Sequence, residues 1–108
     1  MVYTLVCHLY ANSDPASIDK IKAKLIEASR VYNKDSETID WFVMQDVNDP
    51  RKFTIVERFQ QESSQKEHLE NPYWKTFDPY VVPLLDKPIE ILRHEELDTS
   101  KDVEVPAQ

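Results

Sequence analysis

Apolar residues along this chain change period several times, and each change marks an element. From residue 2 to residue 10 they alternate, with Tyr3, Leu5, Cys7 and Leu9 on one side of an extended chain and Val2, Thr4, Val6, His8 and Tyr10 on the other. The period then lengthens. Ile18, Ile21, Leu25, Ala28 and Tyr32 recur at helical spacing, with Lys and Glu on the opposite side. Asp14 before Pro15 supplies a capping side chain and a proline at the first helical position, so a helix is predicted from there to about Asn33. Alternation returns over residues 38–46 and 52–60, joined by Asn48-Asp49-Pro50 as a hairpin turn. Ser64 and Glu67 have the spacing of a capping box and open a short helix through His68 and Leu69. Asn71-Pro72 starts another helical segment with Trp74, Phe77, Val81 and Leu84 on one side, which Pro79 and Pro83 should break or kink. Residues 87–95 read as the last strand. Periodicity then stops, so residues 1–97 are expected to form one domain and residues 98–108 a polar tail, disordered or laid over a partner.

The predicted order is β-α-β-β-α-β, an α+β ferredoxin-like arrangement with an antiparallel sheet and helices on one face. Its other face poses a problem. Trp41 and Val43 point one way while Phe42 and Met44 point the other, and Phe53, Ile55 and Phe59 oppose Val56. An apolar sheet face left in water costs about 25 cal/mol per Å². The expected remedy is a homodimer with sheets packed face to face, a dimeric α+β barrel.

Composition narrows the functional classes. A chain of 108 residues has room for one core. A net charge of −7 argues against nucleic acid or an anionic membrane as a partner. No apolar run approaches the roughly 18 residues of a membrane span, and the alternating N-terminus does not read as a leader. The single Cys7 has no partner in the chain, which fits a reducing, cytoplasmic setting and a buried, inert thiol. Glycine is absent altogether. Turns must therefore come from Asn, Asp, Ser and Pro, and no glycine-rich phosphate loop exists.

Residues 46–77, DVNDPRKFTIVERFQQESSQKEHLENPYWKTF, carry a more specific pattern: an acid, an Asp-Pro turn, Glu-x-aromatic, a histidine and Pro-x-x-x-x-Phe. That order resembles the antibiotic biosynthesis monooxygenase family, dimeric ferredoxin-like barrels of which many oxidise aromatic compounds without metal or flavin. The resemblance implies a homodimer, a small aromatic or hydrophobic ligand, molecular oxygen as co-substrate and no cofactor. It also implies that His68 faces a cavity between helices and sheet as the catalytic base, and that His8 points a polar group towards that cavity. Some aromatics among Trp41, Phe59, Trp74 and Phe77 would line the substrate pocket. Phe59 stands where many relatives have tryptophan, and Glu37 lacks the glycine that normally follows it.

The residues themselves leave alternatives open. An imidazole suits proton abstraction near neutral pH, yet His68 also reads as a helix-end histidine in a charged segment. His8 is equally a satisfied core histidine, and His94 a surface one. Glu57 shares a face with Phe53, Ile55 and Phe59; an ion pair across the dimer is expected for it, a general base being the sharper reading. No histidine spacing suits a metal, and none is expected. Two further readings remain: a non-catalytic barrel that binds a hydrophobic metabolite, and a haem-binding or haem-degrading relative with His68 as axial ligand.

Overall fold

The computed structural model describes residues 1–106, the side chain of Glu67 excepted. Its elements follow the predicted order: β1 (Tyr3–Tyr10), α1 (Pro15–Tyr32), β2 (Thr38–Gln45), β3 (Lys52–Phe59), α2 (Ser64–Glu70), α3 (Trp74–Val81), a 3-10 turn (Val82–Leu84) and β4 (Glu90–Glu95). The strands form one antiparallel sheet in the order β2-β3-β1-β4. This is the ferredoxin-like α+β fold.

Local chemistry explains the boundaries. The Asp14 carboxylate accepts the Ala16 N–H at 2.9 Å and caps α1, whose buried stripe is Ser17, Ile21, Leu25, Ala28 and Tyr32. In the β2–β3 hairpin, Asp46 Oδ1 accepts from the N–H groups of Asn48 and Asp49, doing with a side chain what glycine does in commoner turns. No described residue has a positive φ, so the glycine-free chain is threaded entirely through ordinary backbone conformations.

Several expectations shift. Ser64 is the first residue of α2 rather than its cap; its hydroxyl donates to Glu37 Oε1 at 3.3 Å and accepts the Gln61 N–H. The other half of the expected capping box, the Glu67 side chain, lies outside the described residues. Pro79 sits inside α3 without ending it. The one hydrogen bond it forgoes belongs to the carbonyl of exposed Lys75, which water can satisfy. β4 begins at Glu90 rather than at residue 87, because Pro88 has no N–H for the ladder. The tail after Leu97 is irregular and exposed, and residues 107–108 of it lie outside the described residues.

The core lies between the helices and the inner sheet face, where Leu5, Leu9, Trp41, Phe53, Ile55 and Phe59 meet Ile21, Leu25, Tyr32, Phe77 and Val81. The outer face carries a row of cross-strand neighbours, Phe42–Val56–Val6–Leu92, spanning all four strands. Phe42 and Leu92 are exposed and the two valines half-buried. Among the described residues no helix is long and apolar enough to cross a membrane.

Candidate functional site

The inner-face register places one polar side chain in the middle of the apolar sheet. Glu57 on β3 lies between Trp41 of β2 and Leu5 of β1, with Arg93 of β4 next along the same row. Only 5% of it is exposed. No Lys or Arg side chain forms an ion pair with it among the described residues. Instead the Cys7 thiol donates to Oε2 at 3.2 Å, and His68 Nε2 stands 3.3 Å from Oε1. The Trp41 indole is close enough to favour the charged carboxylate, although its Nε1 makes no well-directed hydrogen bond. Burial outweighs both Trp41 and Cys7 and pushes the Glu57 pKa up.

His68 arrives from α2 and is 2% exposed. Its ring is caged by Tyr32 at 4.2 Å, Phe59 at 5.4 Å, Trp74 at 5.5 Å and Trp41 at 6.3 Å between centroids. Nδ1 lies 3.7 Å from Asp35 Oδ2, and Asn71 holds the other Asp35 oxygen at 2.8 Å. Neither ring nitrogen meets its carboxylate along a good hydrogen-bond line. Such contacts are commonly loose before a ligand tightens them. Burial lowers the His68 pKa from 6.5 to about 4, so the imidazole is neutral at pH 7. Glu57 and His68 are thus both driven towards their uncharged forms, a state in which the acid proton can sit between them.

Trp41 is fixed with unusual care. Beside the β-bulge at Thr38/Asp40, Asn33 takes the Trp41 N–H on Oδ1 and gives Nδ2 to the Trp41 carbonyl, each at 2.8 Å. An asparagine amide here replaces a missing strand neighbour and holds the indole over Glu57.

Beside this cluster is a partly open cavity of about 80 Å³. Glu57, Cys7 and Trp41 form its sheet side, Trp74, Phe77 and Asp78 its α3 side, and Ile89 and Ile91 its β4 side. Trp74 and Phe77 are stacked 5.5 Å apart. The space is smaller than the roughly 150 Å³ that accommodates benzene. A ring would fit only with the wall displaced; of that wall Trp74 is half-buried and Ile91 exposed. Tyr32 Oη, Trp41 Nε1 and Asp78 Oδ1 are buried around this region without hydrogen-bond partners. Burial leads the causes that raise the Tyr32 pKa, with negative charge on Tyr73, Glu57, Asp35 and Asp78 adding to it; burial raises Asp78 as well. Unmatched polar atoms gathered at one cavity suit a ligand with its own polar groups.

Of the residues predicted from sequence, Trp41, Trp74 and Phe77 line the cavity, while His68 and Phe59 sit beside it without forming its wall. His8 is not brought to this site. Its place in the alternation of β1 puts it on the outer face, exposed, 3.2 Å from Thr54 Oγ1. There it borders a larger open hollow of about 500 Å³ with Tyr10, Met44, Thr54, Lys87 and Glu90. Asp35, Asp78 and Tyr32 went unrecognised as site residues; Tyr32 was legible as core, the two aspartates by nothing local. Haem does not fit: both nitrogens of the enclosed His68 ring face carboxylates, and the cavity is far too small for a macrocycle. Among the described residues no three His, Cys, Asp or Glu side chains gather as a metal site.

No sequence-family model matches the chain, and no curated protein matches it in sequence. Solved structures do match in three dimensions. Rv0793 from Mycobacterium tuberculosis superposes with a TM-score of 0.82 at 14% identity, over 94% of this chain and 100% of that one. A Nitrosomonas europaea protein provisionally named as an antibiotic biosynthesis monooxygenase gives 0.83 at 13% identity, over 93% and 94% of the two chains. A further structure, named as an antibiotic biosynthesis monooxygenase, gives 0.80 at 11% identity over 89% and 99%. The resemblance read in residues 46–77 thus extends to the whole architecture: the chain has the fold of the antibiotic biosynthesis monooxygenases.

Proposed function

We propose that the protein oxygenates a small electron-rich hydroxyaromatic, a quinol, anthrone or polyphenol, in the cavity between α3 and the sheet. The observation that carries this reading is the buried Glu57–His68 pair, held without a cation beside an aromatic-walled cavity. A hydroxyl proton passes into that pair, and the resulting anion reduces dioxygen directly. A C–O bond forms at an activated ring carbon. The peroxide O–O bond then breaks as that carbon loses its remaining hydrogen, giving a quinone oxygen and one water. All the electrons come from the substrate, so the balance needs no external reductant and the scheme contains no cofactor. The protein contributes orientation, exclusion of water and a place for the proton. Trp41, Trp74 and Phe77 would hold the ring, with Phe59 supporting His68 from behind.

The working form in this proposal is a homodimer joined through the outer sheet faces, supported by the Phe42–Val56–Val6–Leu92 row. A cytoplasmic location is supported by the free, buried Cys7. The test is oxygen uptake by purified metal-free protein over a panel of quinols, anthrones and polyphenols, with binding followed by tryptophan fluorescence. Uptake with one compound class supports the enzyme. Tight binding of the same compounds with no uptake across the panel sinks it in favour of a non-catalytic binding barrel.

A further inference from the structure

Which member of the pair meets the ligand is a question of register. Glu57 stands at the centre of the inner sheet face and forms part of the cavity wall, whereas His68 does not. The His68 ring is enclosed by Tyr32, Phe59 and Trp74, with its nitrogens turned to Glu57 and Asp35. The two Glu57 oxygens have different neighbours: Oε1 faces His68, while Oε2 accepts from Cys7, itself a cavity residue.

We propose that Glu57 is the catalytic residue that takes the ligand's hydroxyl proton, and that His68 is a positioning residue behind it that stores the proton. This refinement rests on the oxygenase reading given above. The substrate O–H bond breaks and its proton bonds to Glu57 Oε2. The proton already on Oε1 passes to His68 Nε2, 3.3 Å away. The imidazolium so formed faces Asp35 Oδ2, 3.7 Å from Nδ1. One proton moves in, one moves back, and the negative charge stays on the substrate oxygen. Groups that face this relay from other elements are Tyr32 on α1, Asp78 on α3, Cys7 on β1 and, more distantly, Arg93 on β4, whose charge is felt at Cys7. Asp78 is the rival base, a second carboxyl in the same cavity wall.

The relay makes Glu57 and His68 separable. With the panel compound that gives the fastest wild-type oxygen uptake, Glu57→Gln should lower kcat by about 100-fold or more and leave KM within a few-fold, the loss expected of a general base. His68→Gln should retain a tenth or so of the wild-type kcat, carried by the ionised fraction of Glu57, which takes the ligand's proton directly, and the acidic limb of its pH profile should move. Full kcat in Glu57→Gln overturns the assignment. So does a larger loss in His68→Gln or Asp78→Asn than in Glu57→Gln. If Glu57→Gln does not fold, the wild type decides by itself: a 13C label on the Glu57 carboxyl must report the protonated form across the pH range in which kcat is at its plateau, and a carboxyl that is ionised there refutes the proposal. Absence of wild-type uptake with any compound removes the oxygenase reading and this inference with it; uptake that survives Glu57→Gln removes the inference alone.

Discussion

His68 offers a quantitative test that needs no ligand. The folded protein holds it neutral, its pKa lowered by burial from 6.5 to about 4. The unfolded chain takes up a proton on this residue as pH falls through 6.5, while the folded chain declines it until about 4. Stability is therefore complete at pH 7, erodes as pH drops through that window, and stops eroding below it. The lowered pKa corresponds to about 3 kcal/mol in all, most of which should be lost by pH 4.5. Glu57 acts in the opposite sense, since the cost of ionising a carboxyl with a raised pKa grows as pH rises above 4.5. Asp78, raised by burial, acts in the same sense as Glu57, while Glu27, Asp46, Glu96 and Asp98 have lowered pKa values and act mainly below that pH. Urea unfolding of wild type and His68→Gln at pH 7.0 and 4.5 isolates the contribution. The substitution's own packing cost cancels in the difference between the two pH values. Wild type should lose about 2–3 kcal/mol more than the variant over this step. Equal losses refute the argument, as does an NMR titration placing the His68 ring at or above 6.5, which would mean that attraction to Glu57 and Asp35 outweighs desolvation.

Three other perturbations probe the frame around the site. On the outer face Arg58 grips Glu96 through two bonds of 2.7 and 2.8 Å, Thr4 donates to the same carboxylate, and the Glu96 pKa is held down at about 2. With a third of the side chain exposed, Glu96→Gln should cost about 1 kcal/mol at pH 7. Urea titrations should show that cost disappearing as pH falls from 4.5 towards 2; a cost independent of pH would assign it to packing. Asn33→Ala removes one partner from each Trp41 backbone group, leaving Asp40 Oδ1 for the N–H and the Ser29 hydroxyl for the carbonyl, and should destabilise by about 1–2 kcal/mol in the same assay; no measurable loss would mean these remaining partners or water replace the clamp. Val56→Asp puts a charge at the centre of the outer apolar row and should leave a folded monomer by light scattering, whereas wild type should scatter as a dimer. A monomeric wild type, or a dimeric variant, would remove the face-to-face proposal.

The architecture was legible because its periods are clean. Both ends of α1 follow from Asp14-Pro15 and from the stripe that stops at Tyr32, and the sheet faces follow from alternation once the parity of one residue is known. Parity also separates the histidines. His8 alternates with Cys7 and Leu9, so if those face the core it cannot, and the pattern alone argued against the role that the family resemblance suggested. The aromatics were legible as a set but not as a geometry: the sequence does not say that Trp74 and Phe77 stack along one cavity wall while Phe59 supports His68. Asp35 and Asp78 were invisible. Each lies next to His68 or Glu57 through packing of elements distant in the chain, and neither stands in a local pattern that distinguishes it from a solvated carboxylate.

What argues for chemistry at this site is its thermodynamic awkwardness. Glu57 occupies a position in β3 where both cross-strand neighbours, Trp41 and Leu5, are apolar, and where leucine would continue the pattern of Phe53 and Ile55. Replacing buried polar clusters with apolar residues of similar size is often neutral or stabilising, so folding alone does not require a carboxyl here. The same holds for a caged imidazole whose nitrogens lack well-directed bonds, and for the orphaned Tyr32 hydroxyl and Asp78 oxygen. A fold shared at 11–14% identity is compatible with many activities. A barrel serving only as a scaffold would gain from filling the small cavity and removing Glu57. Poorly satisfied polar atoms of His68, Tyr32, Trp41 and Asp78 gathered around a buried carboxyl are what support the proposal that the Glu57–His68 region is where a ligand is met.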